Sequence, residues 1–222
     1  MFIEAVIFDN DGTLVDLNID FIVIRQRVAE FLTGYNIEPS RLKELYILEM
    51  IDEATDLISK QDPSEGQFFY HKSLELVTEH EIRAAKKGEI LPGVTHMLEI
   101  MGKRGVKVGI ITRNCSEAVK IVFPHIESLC DVFIPRDSVT RVKPHPEHLG
   151  LALQKLAVNN PAHCLMVGDH VLDIEAGKRM NMKTAGVLTG KTSREHFLET
   201  GADFIFDDAT KILDHIFEES TW

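Results

Sequence analysis

Residues 5–16 read AVIFDNDGTLVD. Ala5-Val6-Ile7-Phe8 is continuously apolar, the pattern of a strand buried on both faces of a parallel sheet. It stops at Asp9-Asn10-Asp11-Gly12-Thr13, which is turn chemistry: Asx side chains bond nearby backbone, and Gly12 lets the chain turn tightly. Two carboxylates two residues apart at a strand end can lie close in space. With a divalent cation bound, one can stay ionised as a nucleophile while the other shuttles a proton. A calcium loop of the EF-hand type does not fit, because its Gly follows further ligands and its loop does not follow a strand. The plain alternative is a turn that caps a strand with Asx side chains.

Beyond this segment the chain changes character twice. From about Asp20 to Lys87 no strand-like run appears. Phe21, Ile24, Val28, Phe31 and Leu32 recur at helical spacing. Leu42, Leu45, Leu48, Ile51 and Ile58 suggest a second helix beginning near Pro39-Ser40, and Phe68, Phe69, Leu74, Leu76 and Val77 a third after Asp62-Pro63. The segment from Gly88 to Gly93 closes this insert of three or four helices. Thereafter strands and helices alternate. Strands are expected at Val106–Thr112, Asp131–Pro135, Cys164–Gly168, Thr184–Leu188 and Asp203–Phe206. Helices are expected at 94–103, 116–122, 146–157, 174–180, 194–199 and 209–217. The fold class is therefore α/β, a Rossmann-like doubly wound parallel sheet with an inserted all-helical cap. The core spans residues 1–16 and 89–222, and the cap 17–88.

Open parallel sheets bind ligands beyond the carboxyl ends of their strands. Asp9 and Asp11 follow the first strand, Thr112, Arg113 and Asn114 the second, and Asp169 the strand ending at Gly168. Thr112 in IITRN offers a hydroxyl and nearby N–H groups for phosphate oxygens. Lys143 in VKPHPEHL is a point charge suited to a phosphoryl oxygen, in a chain restricted by two prolines. Asp169 and Asp173 in VGDHVLDIEAG could join the first-strand acids around magnesium, which takes hard oxygen ligands. Each piece has a plain reading: Thr-Arg-Asn as a loop, Lys143 as a solvated lysine, the Asp pair as a helix cap.

Composition narrows the partners. The formal net charge of −11 argues against nucleic acid or an anionic membrane. Three widely spaced cysteines, Cys115, Cys130 and Cys164, with no CxxC, fit a reducing cytoplasm better than a disulfide framework. The acidic start MFIEAVIFDND does not read as a signal peptide, and no apolar run is long enough to span a bilayer.

The four pieces, in this order, resemble the haloacid dehalogenase superfamily in its phosphatase branch: DNDGT, the Thr of IITRN, the Lys of VKPHP, and GDHVLD. The resemblance spans essentially the whole chain and includes the helical cap. It implies that Asp9 attacks phosphorus and becomes an aspartyl-phosphate. Asp11 would protonate the leaving alcohol and then deprotonate the hydrolytic water. Magnesium would be held by Asp9, the backbone carbonyl of Asp11, and Asp169. Thr112 and Lys143 would hold the phosphoryl oxygens, with Arg113 and Asn114 beside them, and Asp173 would orient Lys143 or a metal-bound water. Dehalogenating members lack a carboxylate at the position of Asp11, so its presence favours phosphate chemistry.

Two positions depart from the family's usual pattern. Arg113 stands where many relatives have Asn, either touching substrate or turning outward. His170, beside Asp169, reads as an exposed loop residue, with contact to metal-bound water as the alternative. His71, His80, His145 and His148 show no metal-ligand pairing. On the cap, Arg25, Arg27, Lys43 and Lys72 are candidates for a second anionic group, against the plain reading of solvated helix charges. The layout is similar to phosphoglycolate phosphatases, so the expected partner is a small phosphorylated metabolite, met by a monomer or homodimer. The alternatives are a phosphosugar mutase using the same intermediate and a non-catalytic phosphate-binding regulator.

Overall fold

The computed structural model of the chain describes residues 3–43 and 46–218. Cα packing divides it into two units, Met1–Leu17 with Ala85–Trp222, and Asn18–Ala84.

The strands of the first unit are β1 (Ala5–Phe8), β2 (Val15–Asp16), β3 (Glu89–Ile90), β4 (Lys107–Ile111), β5 (Val132–Ile134), β6 (Cys164–Gly168), β7 (Lys183–Val187) and β8 (Phe204–Phe206). Six of them form one sheet in the order β5-β4-β1-β6-β7-β8, with every pairing parallel. All four β1 side chains are buried, as a central strand covered on both faces requires. Phe8 lies level with Ile110 of β4 and Val167 of β6. Asp9, Thr112 and Asp169 therefore leave adjacent strands at the same edge. The chain runs outward from β1 through β4 to β5 and then returns to β6 on the other side of β1. In open parallel sheets such a reversal of direction marks where ligands bind, at the carboxyl ends.

Helices α4 (Val94–Lys103), α5 (Ser116–Val122), α6 (Pro146–Lys155), α7 (Val171–Arg179), α8 (Arg194–Thr200) and α9 (Ile212–Glu218) follow the strands of this unit. Helix α6 packs on β4 and β5, and α7 on β6 and β7. Ile7, Ile111, Ile134, Met166, Leu149, Leu153 and Ala176 join in one apolar cluster. Helix α7 begins at Val171, three residues before its apolar periodicity becomes visible. His170 Nδ1 accepts from Leu172 N at 3.2 Å, and Asp173 Oδ2 accepts from His170 N at 3.1 Å, a reciprocal cap that starts the helix early.

Strands β2 and β3 form an antiparallel pair, Val15 with Ile90 and Asp16 with Glu89. Sequence periodicity could not show them, because two-residue strands have no period to read. They tie residues 89–90 to the α/β unit, whose second segment begins at Ala85.

The helical unit holds α1 (Phe21–Thr33) and α2 (Ile47–Ser59), with α3 (Pro63–Ala85) as its third helix. Asp20 caps α1, accepting from Val23 N at 3.0 Å, and Ile24, Val28 and Leu32 recur every fourth residue on its buried face. Pro39–Arg41 is a single 3₁₀ turn; Leu42 is extended, so α2 starts at Ile47 and not near Pro39. Leu45, expected in that helix, lies outside the described residues. Helix α3 buries Phe69, Ser73 and Val77, and Phe68 is half exposed, so the apolar pair 68–69 straddles the edge of its face. Phe69 stacks on Phe31 with centroids 5.2 Å apart. Among the described residues no helix is long and apolar enough to cross a membrane.

Candidate active site

Asn10 shapes the loop after β1 through its carbonyl oxygen, which accepts from Thr13 N, Leu14 N and Val15 N. Gly12 has φ of 78°, which a side chain would strain, and its N–H donates to Val15 O at 2.8 Å. Asp9 thereby sits at the tip of β1 with only 6% of its surface exposed.

Lys143 reaches this carboxylate from the loop before α6. Its Nζ donates to Asp9 Oδ1 and, at 2.6 Å, to Asp173 Oδ1. Lys143 is 3% exposed and Asp173 fully buried. Burial disfavours the ammonium, but Asp173 and Asp9 outweigh it and raise the lysine's pKa, so it stays charged.

The acids do not share that comfort. Burial, reinforced by the charges of Asp9 and Asp173, pushes Asp169 up to about 9. Burial and then Asp9 push Asp11 up to about 7, although its Oδ1 accepts from Leu17 N at 3.1 Å. Burial raises Asp173 to about 6 against the opposing pull of Lys143. Carboxylates this crowded lack cationic charge. Asp9, Asp169 and Asp173 offer oxygens within 4.8 Å of one another, a group able to hold a metal ion. The hard donor set and the resistance of Asp169 to ionisation both fit a divalent cation. Both oxygens of Asp173 already accept hydrogen bonds, from Lys143 Nζ and His170 N. Asp9 and Asp169 are the members of the trio better suited as direct ligands.

Thr112 is buried at the end of β4, and its Oγ1 accepts from Asn114 N at 3.1 Å, which leaves the hydroxyl proton to donate elsewhere. Arg113 Nη1 donates to the backbone oxygen of Lys143 at 2.7 Å. Asn114 is buried, and no partner to its Nδ2 is found among the described residues. His170 is half-buried as the cap of α7, not an exposed loop residue as its neighbours in sequence suggest. On the helical unit Arg25 is half-buried, while Arg27, Lys43 and Lys72 are exposed. Lys72 pairs with Glu75 at 2.6 Å.

Three features escape sequence reading. A Cβ on Gly12 or Gly190 would run into the Asp169 carboxyl group, so both glycines make room for it. Thr189 Oγ1 donates to Gly12 O at 2.5 Å and ties the loop after β7 to the loop after β1. His148 is fully buried against the backbone of Lys143. Glycine 190 and Thr189 lie far along the chain from Asp169 and Gly12, and no local pattern announces such contacts.

The Asn10 side chain is fully buried with neither amide atom partnered among the described residues. An unmet buried amide costs about 1–3 kcal/mol. Asn10→Leu keeps the branch shape and removes that cost, so urea unfolding of the metal-free protein should show stability raised by about 1–3 kcal/mol. A lowered unfolding midpoint would contradict this account of Asn10.

A Rossmann-like sheet with an inserted helical unit, and an Asp-Lys-Asp cluster at its switch point, defines a class of hydrolase. The family described as "Haloacid dehalogenase-like hydrolase" matches residues 6–187, and the chain belongs to it. A relative named pyrophosphatase PpaX, from Bacillus cereus (strain ATCC 10987 / NRS 248), is 32% identical over 225 residues, covering 96% of each chain. Among solved structures, a hydrolase from Pseudomonas syringae is similar with TM-score 0.67 and 24% identity, over 96% of this chain and 98% of that one. A predicted phosphoglycolate phosphatase from Haemophilus somnus 129pt is similar with TM-score 0.65 and 21% identity, over 96% and 97%. The two structures speak to the fold.

Proposed function

We propose that this hydrolase removes a phosphoryl group from a small phosphate compound through an aspartyl-phosphate on Asp9. The observation that carries the reading is the buried Lys143 Nζ held between Asp9 and Asp173. It supplies a fixed positive charge beside the attacking oxygen, where the phosphoryl oxygens would gather.

An Asp9 carboxylate oxygen forms a bond to phosphorus as the bond to the leaving oxygen breaks. Asp11, which burial favours in its protonated form, donates a proton to that oxygen. Asp11 then takes a proton from water as the water oxygen attacks phosphorus and the Asp9–phosphorus bond breaks. Inorganic phosphate leaves and Asp9 is restored. Thr112 and Lys143 hold the phosphoryl oxygens. Asp9, Asp169 and the backbone oxygen of Asp11 would hold magnesium, which would supply further positive charge to the phosphoryl group.

The name of the relative at 32% identity supports inorganic pyrophosphate as the first compound to test, beside small phosphomonoesters such as phosphoglycolate. The test is phosphate release from both classes, with magnesium and with excess chelator. Magnesium-dependent release from at least one class is expected. Undiminished release in chelator would overturn the reading, and an isomeric sugar phosphate formed without free phosphate would replace it with a mutase.

A further inference from the structure

Lys143 is held at more than its ammonium. Its backbone oxygen accepts from Arg113 Nη1 at 2.7 Å. Its backbone N–H donates to His148 Nδ1 at 3.1 Å. The other ring nitrogen, His148 Nε2, lies 2.9 Å from Ile134 O, the last residue of β5. An amide N–H can only donate and a carbonyl oxygen can only accept, so both ring roles are determined. Nδ1 carries the lone pair and Nε2 the proton. His148 is fully buried in the first turn of α6.

We propose that His148 is a positioning residue, which fixes Lys143 by bridging its amide to the end of β5. This rests on the role given to Lys143 above. The imidazole acts as a rigid spacer between the sheet and the loop carrying the lysine. With its amide held by His148 and its carbonyl by Arg113, Lys143 has few ways to carry Nζ away from Asp9. A charged imidazole would put a proton where Nδ1 must accept. Burial, with Lys143 also opposing a second cation, holds His148 down to about 4, so the accepting form persists at neutral pH.

The two bonds can be separated. In His148→Asn, Oδ1 falls near the former Nδ1 and can accept from Lys143 N–H, while the bond to Ile134 is lost. In His148→Gln, the amide nitrogen falls near the former Nε2 and can donate to Ile134 O, while the bond to Lys143 is lost. His148→Leu loses both. A role confined to stability would treat Asn and Gln alike, since each keeps one bond. A role in positioning Lys143 separates them. His148→Asn should keep kcat within about threefold of the parent, and His148→Gln should lose about tenfold or more, the scale expected when a catalytic group is misplaced by part of an ångström. Melting temperatures of the two should fall together.

A second readout does not depend on turnover. Hydrogen exchange at the Lys143 amide, followed by NMR, should be slow in the parent and His148→Asn, and faster in His148→Gln. Equal kcat losses in Asn and Gln that track their melting temperatures would overturn the inference. So would an unchanged Lys143 amide in His148→Gln, or an imidazole ¹⁵N spectrum showing the proton on Nδ1. Should the chain prove not to cleave phosphate compounds, the amide exchange would still report whether His148 holds Lys143. The two ideas therefore fail separately.

Discussion

Asp9→Asn should lower turnover by at least about a thousandfold, the scale seen when a catalytic nucleophile is removed. Asparagine has the shape of aspartate, so the loop that Asn10 O and Gly12 build has no reason to move. What disappears is the anionic oxygen that would bond to phosphorus. The charge change should not weaken the fold. Asp9 is second only to burial in raising both Asp169 and Asp11, so its neutralisation relieves repulsion in the metal-free cluster. Lys143 keeps Asp173 as its partner at 2.6 Å. The expected result is thus an inactive protein whose metal-free melting temperature is no lower than the parent's. Turnover within tenfold of the parent, on a substrate the parent hydrolyses, would remove Asp9 from the nucleophile's role.

Lys143→Met should damage both activity and stability. Loss of a fixed charge at the phosphoryl oxygens costs on the order of a hundredfold or more in kcat. Stripping the cation from a buried pair costs about 3–5 kcal/mol, because the remaining carboxylates stay buried without compensation. The stability loss should depend on pH in a particular direction. Asp11, Asp169 and Asp173 all have folded pKa values above their ordinary 3.8. The folded state therefore binds more protons than the unfolded state as pH rises from about 4, so stability falls through that range and levels off above the folded values. Lys143 is what holds Asp173 down, to about 6. Without it the folded value climbs, and the fall continues to higher pH. In chelator, urea unfolding should show a larger deficit for Lys143→Met at pH 8 than at pH 5. Equal deficits at the two pH values would mean that the lysine does not compensate these carboxylates.

Much of this architecture is written locally. Asp9, Asp11, Thr112 and Asp169 stand just after apolar runs, and a strand buried on both faces declares itself by being apolar throughout. Helices α4 and α5 and strand β6 keep the bounds that their apolar runs and Gly or Ser punctuation suggest. The start of α7 depends on a cap made by hydrogen bonds between His170 and Asp173, which no periodicity reports. Pro39-Ser40 does open a turn, but the turn ends at Arg41, and α2 starts only at Ile47.

The fold class, the helical insert and the residue types that gather at the strand ends follow from periodicity, composition and the parallel-sheet rule. How those residues contact one another emerges only when the chain is packed. Lys143 could be read as a phosphate holder, yet its bridge between Asp9 and Asp173 joins positions 134 and 30 residues away. Arg113 and His148 meet Lys143 through its backbone, whose direction no side-chain pattern encodes. The crowding that raises Asp169 and Asp11 depends on burial and distance, and both come into being only when strands remote in sequence are laid side by side.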